Sequence, residues 1–208
     1  KRIILKIKLK FLKDGLLINI KKAEQSEFDK YDIIHVPLPQ HYEPFIKANT
    51  KFVVTVHDLS DKLFPNYHTK RNVKLAEKGM NFFLKKNTAF ISISKNTKDD
   101  LVNFYNLGQK DIKVIYEAAD SQKFKPLFNK HSASLVKSYY KIPLNCPFII
   151  TVSTLEPRKN LINTIKAFEQ FIEENPKSKI NLVICGRKGW KSKGINKVKH
   201  KNRIVFTG

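Results

Sequence analysis

Short apolar runs that stop at a polar, Pro or Gly break and then resume as amphipathic stretches recur from Asp32 to Phe206, and this alternation constrains the fold more than any other feature. Asp32-Ile33-Ile34-His35-Val36-Pro37 and Phe52-Val53-Val54-Thr55-Val56-His57-Asp58 have the continuous apolar character of strands in a parallel sheet, where helices cover the faces. Helical patterns at 69–86 and 95–105 bracket a strand at 88–94, and Gly108 is expected just past the second helix as its C-terminal cap. Further strands are expected at 112–116, 148–152, 180–185 and 203–206, with a helix at 132–141. Strand and helix alternate throughout, which predicts an α/β fold with parallel sheets. The irregular, Pro-bearing stretch 121–128 is the natural seam between two units, 1–126 and 127–208. Residues 2–20 fit either a strand alternation or a helix face.

The stretch ITVSTLEPRKNLINTIKAF, from Ile150 to Phe168, is the most informative βα unit. Its apolar run breaks at Ser153 and Thr154, passes Pro157, and presents Arg158 and Lys159 where an amphipathic helix is expected to begin. A helix N-terminus carries unsatisfied N–H groups and partial positive charge, so two cations beside it would favour a phosphate or diphosphate. Leu161, Ile162, Ile165, Phe168 and either Phe171 or Ile172 follow the helical period, leaving Asn163, Lys166 and Glu173 outside. An ordinary βα turn with two solvated cations has the same spacing.

The formal net charge is +22, and 35 of the 40 basic residues are Lys, dispersed along the chain. Three sources fit: a coding bias toward Lys and Asn, attraction to anionic lipid headgroups, or nucleic-acid binding. The scarcity of Arg argues against the last, because base readout and bidentate phosphate clamps prefer Arg, and nucleic acid is not an expected partner. Cys146 and Cys185 have no Cys-x-x-Cys or His partner at metal spacing, which predicts a reducing, cytoplasmic setting and no metal site. No apolar run approaches the ~20 residues needed to span a bilayer. Lys1 in place of Met, and Gly208 directly after a strand pattern, read as a chain cut at both ends.

Several residues are placed for chemistry. His57 and Asp58 end a predicted parallel strand, at the sheet edge where open α/β folds hold ligands, and a His there can bind a hydroxyl or simply finish the strand. Ser92, Ser94 and Lys95 occupy the same edge of the next strand, and Ser94 also reads as a helix N-cap. Gly186-Arg187-Lys188-Gly189-Trp190 follows another strand with loop-forming glycines but matches neither a Gly-x-Gly-x-x-Gly fingerprint nor a Walker loop.

Six segments stand in an order that resembles the retaining glycosyltransferases of family four, particularly the mannosyltransferase-type members that build bacterial surface polysaccharides. They are Val54 to Leu59, Ile91 to Lys95 with Asp100-Leu101, Val114 to Tyr116 with Asp120 and Phe124-Lys125-Pro126, Val152 to Asn160, Leu182 to Trp190, and Arg203 to Gly208. The resemblance implies a GT-B fold of two Rossmann-like domains, both incomplete here. The 1–126 part would be acceptor-side and the 127–208 part would bind the nucleotide sugar. It implies transfer of a hexose such as mannose from a nucleotide-sugar donor to a glycolipid or polysaccharide acceptor, with retention, at the inner membrane face. No cofactor or metal is implied, since cationic groups neutralise the diphosphate leaving group.

Carried onto this chain, Arg158 and Lys159 would bind and stabilise that diphosphate, Thr154 and Gly186 would line the donor site, and His57 would contact the donor sugar from the N-terminal domain. Thr154 stands where the family often has an Arg, so Arg158 is expected to carry more of the load. The Gly-rich loop and the paired glutamates of the family have no counterpart, so the polypeptide is expected to be weak alone or to need a second chain. The competing readings are a noncatalytic binding module of the same fold and, on charge alone, a nucleic-acid-binding protein.

Overall fold

The computed structural model describes residues 5–6, 28, 30–126, 129–192, 194–195 and 197–208. Apart from Leu5–Lys6, the 2–20 segment lies outside them. The chain forms two compact units, Lys1–Ala118 and Ala119–Gly208, each carrying one sheet.

In the first unit, strands β1 (Leu5–Lys6), β2 (Ile33–Val36), β3 (Lys51–Val56), β4 (Thr88–Ser92) and β5 (Ile112–Val114) lie side by side in chain order, every pair parallel. Parallel neighbours need crossovers, and these include α1 (Ser60–Leu63) and α2 (Lys70–Leu84) before β4, and α3 (Lys95–Tyr105) before β5. Thr69 and Ser94 cap the two longer helices, their hydroxyls accepting from the Asn72 and Thr97 N–H groups at 3.2 and 3.1 Å. At the end of α3 the left-handed residue is Asn106 (φ 51°), whereas Gly108 is extended at φ −63°. Asn tolerates that conformation, so the cap falls two residues earlier than the glycine suggests.

Alternation on β3 buries Phe52, Val54 and Val56, which join Ile34, Phe45, Met80, Phe83 and Phe90 in the core. The Phe45, Phe52 and Phe83 rings meet at 5.3 to 6.5 Å between centroids, and each buried ring contributes about 2–3 kcal/mol. Gly79 lets α2 approach the turn at Pro39, because a Cβ there would lie 2.1 Å from the Pro39 carbonyl oxygen. Gly79→Ala should therefore lower stability by about 2 kcal/mol, despite the ~1 kcal/mol that Ala adds to a helix interior. A higher thermal midpoint in the variant would show that the turn yields.

In the second unit, β6 (Phe148–Val152), β7 (Asn181–Cys185) and β8 (Ile204–Phe206) form a parallel sheet in that order, with α4 (Lys130–Tyr139) before it and α5 (Leu161–Glu174) linking β6 to β7. One stripe of α5, at Leu161, Ile165, Phe168 and Ile172, packs with Leu182, Ile184 and Ile204. Ile172 takes the inner position and Phe171 is 40% exposed, which decides between them. Glu169 also lies on the inner side, where its carboxylate accepts the Lys199 and His200 backbone N–H groups and ties down that loop.

Strand β6 departs from the buried strand its sequence predicts. Phe148, Ile149, Ile150 and Val152 are 38, 50, 52 and 76% exposed. The cause is position: β6 is an edge strand paired only with β7 among the described residues, while central β7 is buried. No described helix is long and apolar enough to cross a membrane.

Candidate functional site

Two groups of loops, one in each unit, hold the residues singled out by sequence. Both follow the C-terminal ends of parallel strands, the side on which such sheets bind ligands.

In the first unit, His57 begins the loop after β3. Its backbone carbonyl accepts from the buried Thr97 hydroxyl at 3.0 Å, and its Nδ1 lies 3.1 Å from a carboxylate oxygen of Glu117. Asp58 Oδ1 accepts from the Ser60 N–H at 3.1 Å and from its hydroxyl at 2.7 Å. That hydroxyl, its hydrogen directed at Asp58, accepts in turn from His68 Nε2 at 3.1 Å. The chain of bonds shapes the turn into α1. Deeper in the same unit, burial is the main cause holding the Asp61 carboxyl above its usual range, against the opposing effects of its own backbone N–H, Lys62 and His68, with nearby Asp58 adding to the rise. Tyr105 is pushed up to about 12, first by burial and then by the negative charges of Asp61 and Glu77. Neighbouring Ser92 is fully buried, and Ser94 is occupied as the α3 cap. Lys95 is exposed at the first position of that helix.

In the second unit, the loops after β6 and β7 continue the sheet's pairing past the strands. The Ser153 N–H donates to the Cys185 carbonyl at 2.9 Å, Leu155 to Arg187 at 3.0 Å, and Gly189 to Leu155 at 3.1 Å. This brings Thr154, Glu156, Arg158, Gly186 and Gly189 into one pair of loops. Gly186 has φ 145°, and a Cβ on it would lie 1.9 Å from the Ser153 carbonyl oxygen. A Cβ on Gly189 would lie 2.8 Å from Thr154 Cγ2 and 2.9 Å from the Leu155 carbonyl oxygen. Both glycines are therefore explained by backbone approach between loops.

The expected start of the helix is corrected in one respect. Arg158 and Lys159 lie on a 3₁₀ turn, Pro157–Lys159, and α5 begins at Leu161 after Asn160 turns through the left-handed region at φ 53°. The Pro-fixed turn fits one tight winding before the chain redirects. The two cations also differ. Arg158 Nε and Nη2 reach Glu156 Oε1 at 3.2 and 2.9 Å, and the Glu156 side chain is only 3% exposed. Arg158 thus neutralises a buried carboxylate, so part of its charge is already engaged. Lys159 is exposed, with no side-chain hydrogen bond or ion pair among the described residues.

Sequence reasoning missed Glu156 and Glu117. The signal for Glu156 was a carboxylate two residues before Arg158 across a Pro, and for Glu117 a carboxylate three residues beyond β5 at the His57 edge of the sheet.

The model of Glycosyltransferase Family 4 matches residues 8–123. Among curated proteins, an O-antigen chain mannosyltransferase B of Escherichia coli is 24% identical over 138 residues, covering 66% of this chain and 35% of the relative. Among solved structures, Anabaena Alr3699/HepE in complex with UDP-glucose superposes with TM-score 0.65 at 17% identity, over 88% of this chain and 49% of that one. A glycosyltransferase from Rickettsia africae ESF-5 superposes with TM-score 0.63 at 16% identity, over 96% of this chain and 53% of that one. The chain thus spans about half the length of these structures and about a third of the curated relative. Its fold is α/β of the GT-B type.

Proposed function

Since this chain belongs to glycosyltransferase family 4, we propose that it serves the transfer of a hexose, mannose first among candidates, from a nucleotide-sugar donor to a lipid-linked or polysaccharide acceptor, with retention of configuration. The observation that carries this reading is the paired-loop arrangement after β6 and β7, which sets Lys159 and Arg158 beside the start of α5. In the proposal Lys159 supplies the mobile charge at the diphosphate and Arg158 a fixed one, with Thr154 and Gly186 shaping the loop against the donor. These charges and the helix N-terminus neutralise the leaving group without a metal. His57 binds the sugar through its imidazole. The Anabaena protein was solved in complex with UDP-glucose and the Escherichia coli relative is a mannosyltransferase, both compatible with this substrate class. The lysine excess suits attachment at the anionic inner face of a membrane.

The test is a thermal-shift panel of nucleotide diphosphates and their hexose conjugates. A ligand at 100 times its Kd should raise stability by about 2.7 kcal/mol, and a panel in which none raises the midpoint overturns the reading. In a transfer-competent protein, His57→Ala should depress turnover while leaving nucleoside diphosphate binding nearly intact. Loss of diphosphate binding in that variant would contradict the division of roles. Nucleotide-sugar binding without turnover is the second reading, favoured by the engagement of Arg158 with the buried Glu156 carboxylate. Midpoint shifts with no transfer to any acceptor would select it.

A further inference from the structure

We propose that the turn 63–67 and the outer side of α2 form a docking surface for an anionic bilayer, the apolar side chains of the turn entering the headgroup layer and the cations of the helix meeting lipid phosphates. The inference rests on the membrane attachment in the proposed function and gives it a place in the first unit.

Leu63, Phe64 and Tyr67 are 44, 50 and 46% exposed, with the Phe64 and Tyr67 rings 6.2 Å apart. Single exposed apolar residues are ordinary, but these three share one ordered turn. The Phe64 N–H donates to the Ser60 carbonyl at 2.8 Å, Tyr67 to Phe64 at 3.0 Å and His68 to Pro65 at 3.1 Å. The Ser60 hydroxyl meets His68 Nε2 at 3.1 Å and closes the turn at its base. The backbone that presents these side chains is therefore fixed in advance, and covering them with lipid costs little ordering entropy.

Charge is the second, independent observation. Residues 60–86 contain seven Lys or Arg against two acids, Asp61 and Glu77. Lys62 is paired with Glu77 at 3.3 Å, and the Lys86 ammonium donates to the Ala48 carbonyl at 3.2 Å. The other five, Lys70, Arg71, Lys74, Lys78 and Lys85, are all exposed. At 3.6 residues per turn they fall within an arc of about 100° on α2 and its C-terminal cap, opposite the buried Gly79, Met80 and Phe83. Because the core uses the apolar side of α2, the helix itself cannot sink into lipid, and insertion falls to the turn. A bilayer offers phosphates and hydrocarbon side by side, which suits a cationic stripe beside an apolar tip. A nucleic acid offers phosphates and ring faces, with which Leu63 cannot stack. The turn follows His57 beyond the end of β3, so docking here brings that edge of the sheet to the surface where a lipid-linked acceptor lies.

The experiment is co-sedimentation of the 208-residue chain with vesicles of equimolar phosphatidylcholine and phosphatidylglycerol, and with vesicles of phosphatidylcholine alone. Binding is expected to the anionic vesicles and to be about tenfold or more weaker without phosphatidylglycerol. Lys70→Ala, Lys74→Ala and Lys78→Ala together should weaken it by about a hundredfold, at about fivefold per cation. Lys51→Ala, Lys110→Ala and Lys113→Ala together, at exposed positions of the same unit, should weaken it by less than about threefold. Both triple variants should melt like the unmodified chain, because every side chain removed is exposed. In Phe64→Trp, emission read as a difference from the unmodified chain, which carries Trp190, should shift to the blue on anionic vesicles. No binding to those vesicles, equal losses from the two lysine triplets, or a Phe64→Trp spectrum unmoved by vesicles that sediment the chain overturns the proposal. Capture of single-stranded RNA in place of vesicles, lost with Lys70, Lys74 and Lys78, would assign the surface to nucleic acid and overturn it as well. No nucleotide sugar takes part, so failure here is distinct from failure of the transferase reading, which the nucleotide panel decides.

Discussion

Arg158→Ala is expected to lower thermal stability and nucleoside diphosphate affinity together, while Lys159→Ala lowers affinity alone. The Glu156 carboxylate is 3% exposed and sits 2.9 Å from the guanidinium. Deleting one partner of a buried pair leaves the other charge uncompensated. The cost is about 3–5 kcal/mol for full burial, and here about 2–3 kcal/mol because Arg158 is itself partly solvated. Lys159 lies on the surface of the same turn, and its removal should change stability by no more than about 0.5 kcal/mol. Calorimetry of the single variants and of Arg158→Ala combined with Glu156→Gln separates the effects. The double variant should regain most of the lost midpoint, since neutral Gln needs no cation, yet its diphosphate affinity should stay low. An Arg158→Ala protein that melts like the unmodified chain would show that the Glu156 contact carries no burial penalty.

Gly186→Ala should be the most damaging small substitution in the second unit. A Cβ at this position meets the Ser153 carbonyl oxygen at 1.9 Å and its carbon at 2.7 Å, and the backbone sits at φ 145°, which L side chains rarely adopt. Neither atom can swing away, because Ser153 is held in the continued ladder by its hydrogen bond to Cys185. Backbone strain of about 1–3 kcal/mol adds to the overlap, so the total should exceed about 3 kcal/mol, enough to unravel the β6–β7 loops. Gly194 is the control: its φ is 93° but no atom of the described residues lies within 4 Å of a Cβ there, so Gly194→Ala should cost only the conformational preference, about 1 kcal/mol. Hydrogen exchange read by unit should show lost protection in the second unit for Gly186→Ala, with the first unit unchanged. Equal, small effects of the two substitutions would mean that the loops part readily.

The strand-and-helix alternation was legible because burial imposes its period on the residues themselves. Phe52, Val54 and Val56 mark the inner face of β3, and Leu161, Ile165 and Phe168 mark one side of α5, before any partner is known. The anion-site loop was legible in part. Its strand, its Pro turn and its helix stand in the expected order, but the helix starts at Leu161 and not at the cations, since a 3₁₀ turn and a left-handed Asn160 intervene. Asn160 and Asn106 adopt that conformation without the glycine that usually signals it.

What the sequence determined by itself was the α/β class, the parallel sense of both sheets and the loops in which polar residues gather, because these follow from local periodicity and from the crossovers that parallel strands require. What only the tertiary structure decided was which charges are spent. Arg158 and Lys159 are adjacent cations in the sequence, yet one is bound to a buried glutamate and the other is exposed. His57 and Glu117 are sixty positions apart and come within 3.1 Å only because β3, β4 and β5 end side by side. Burial and hydrogen-bond partners are properties of the space between elements, and a linear pattern does not carry them.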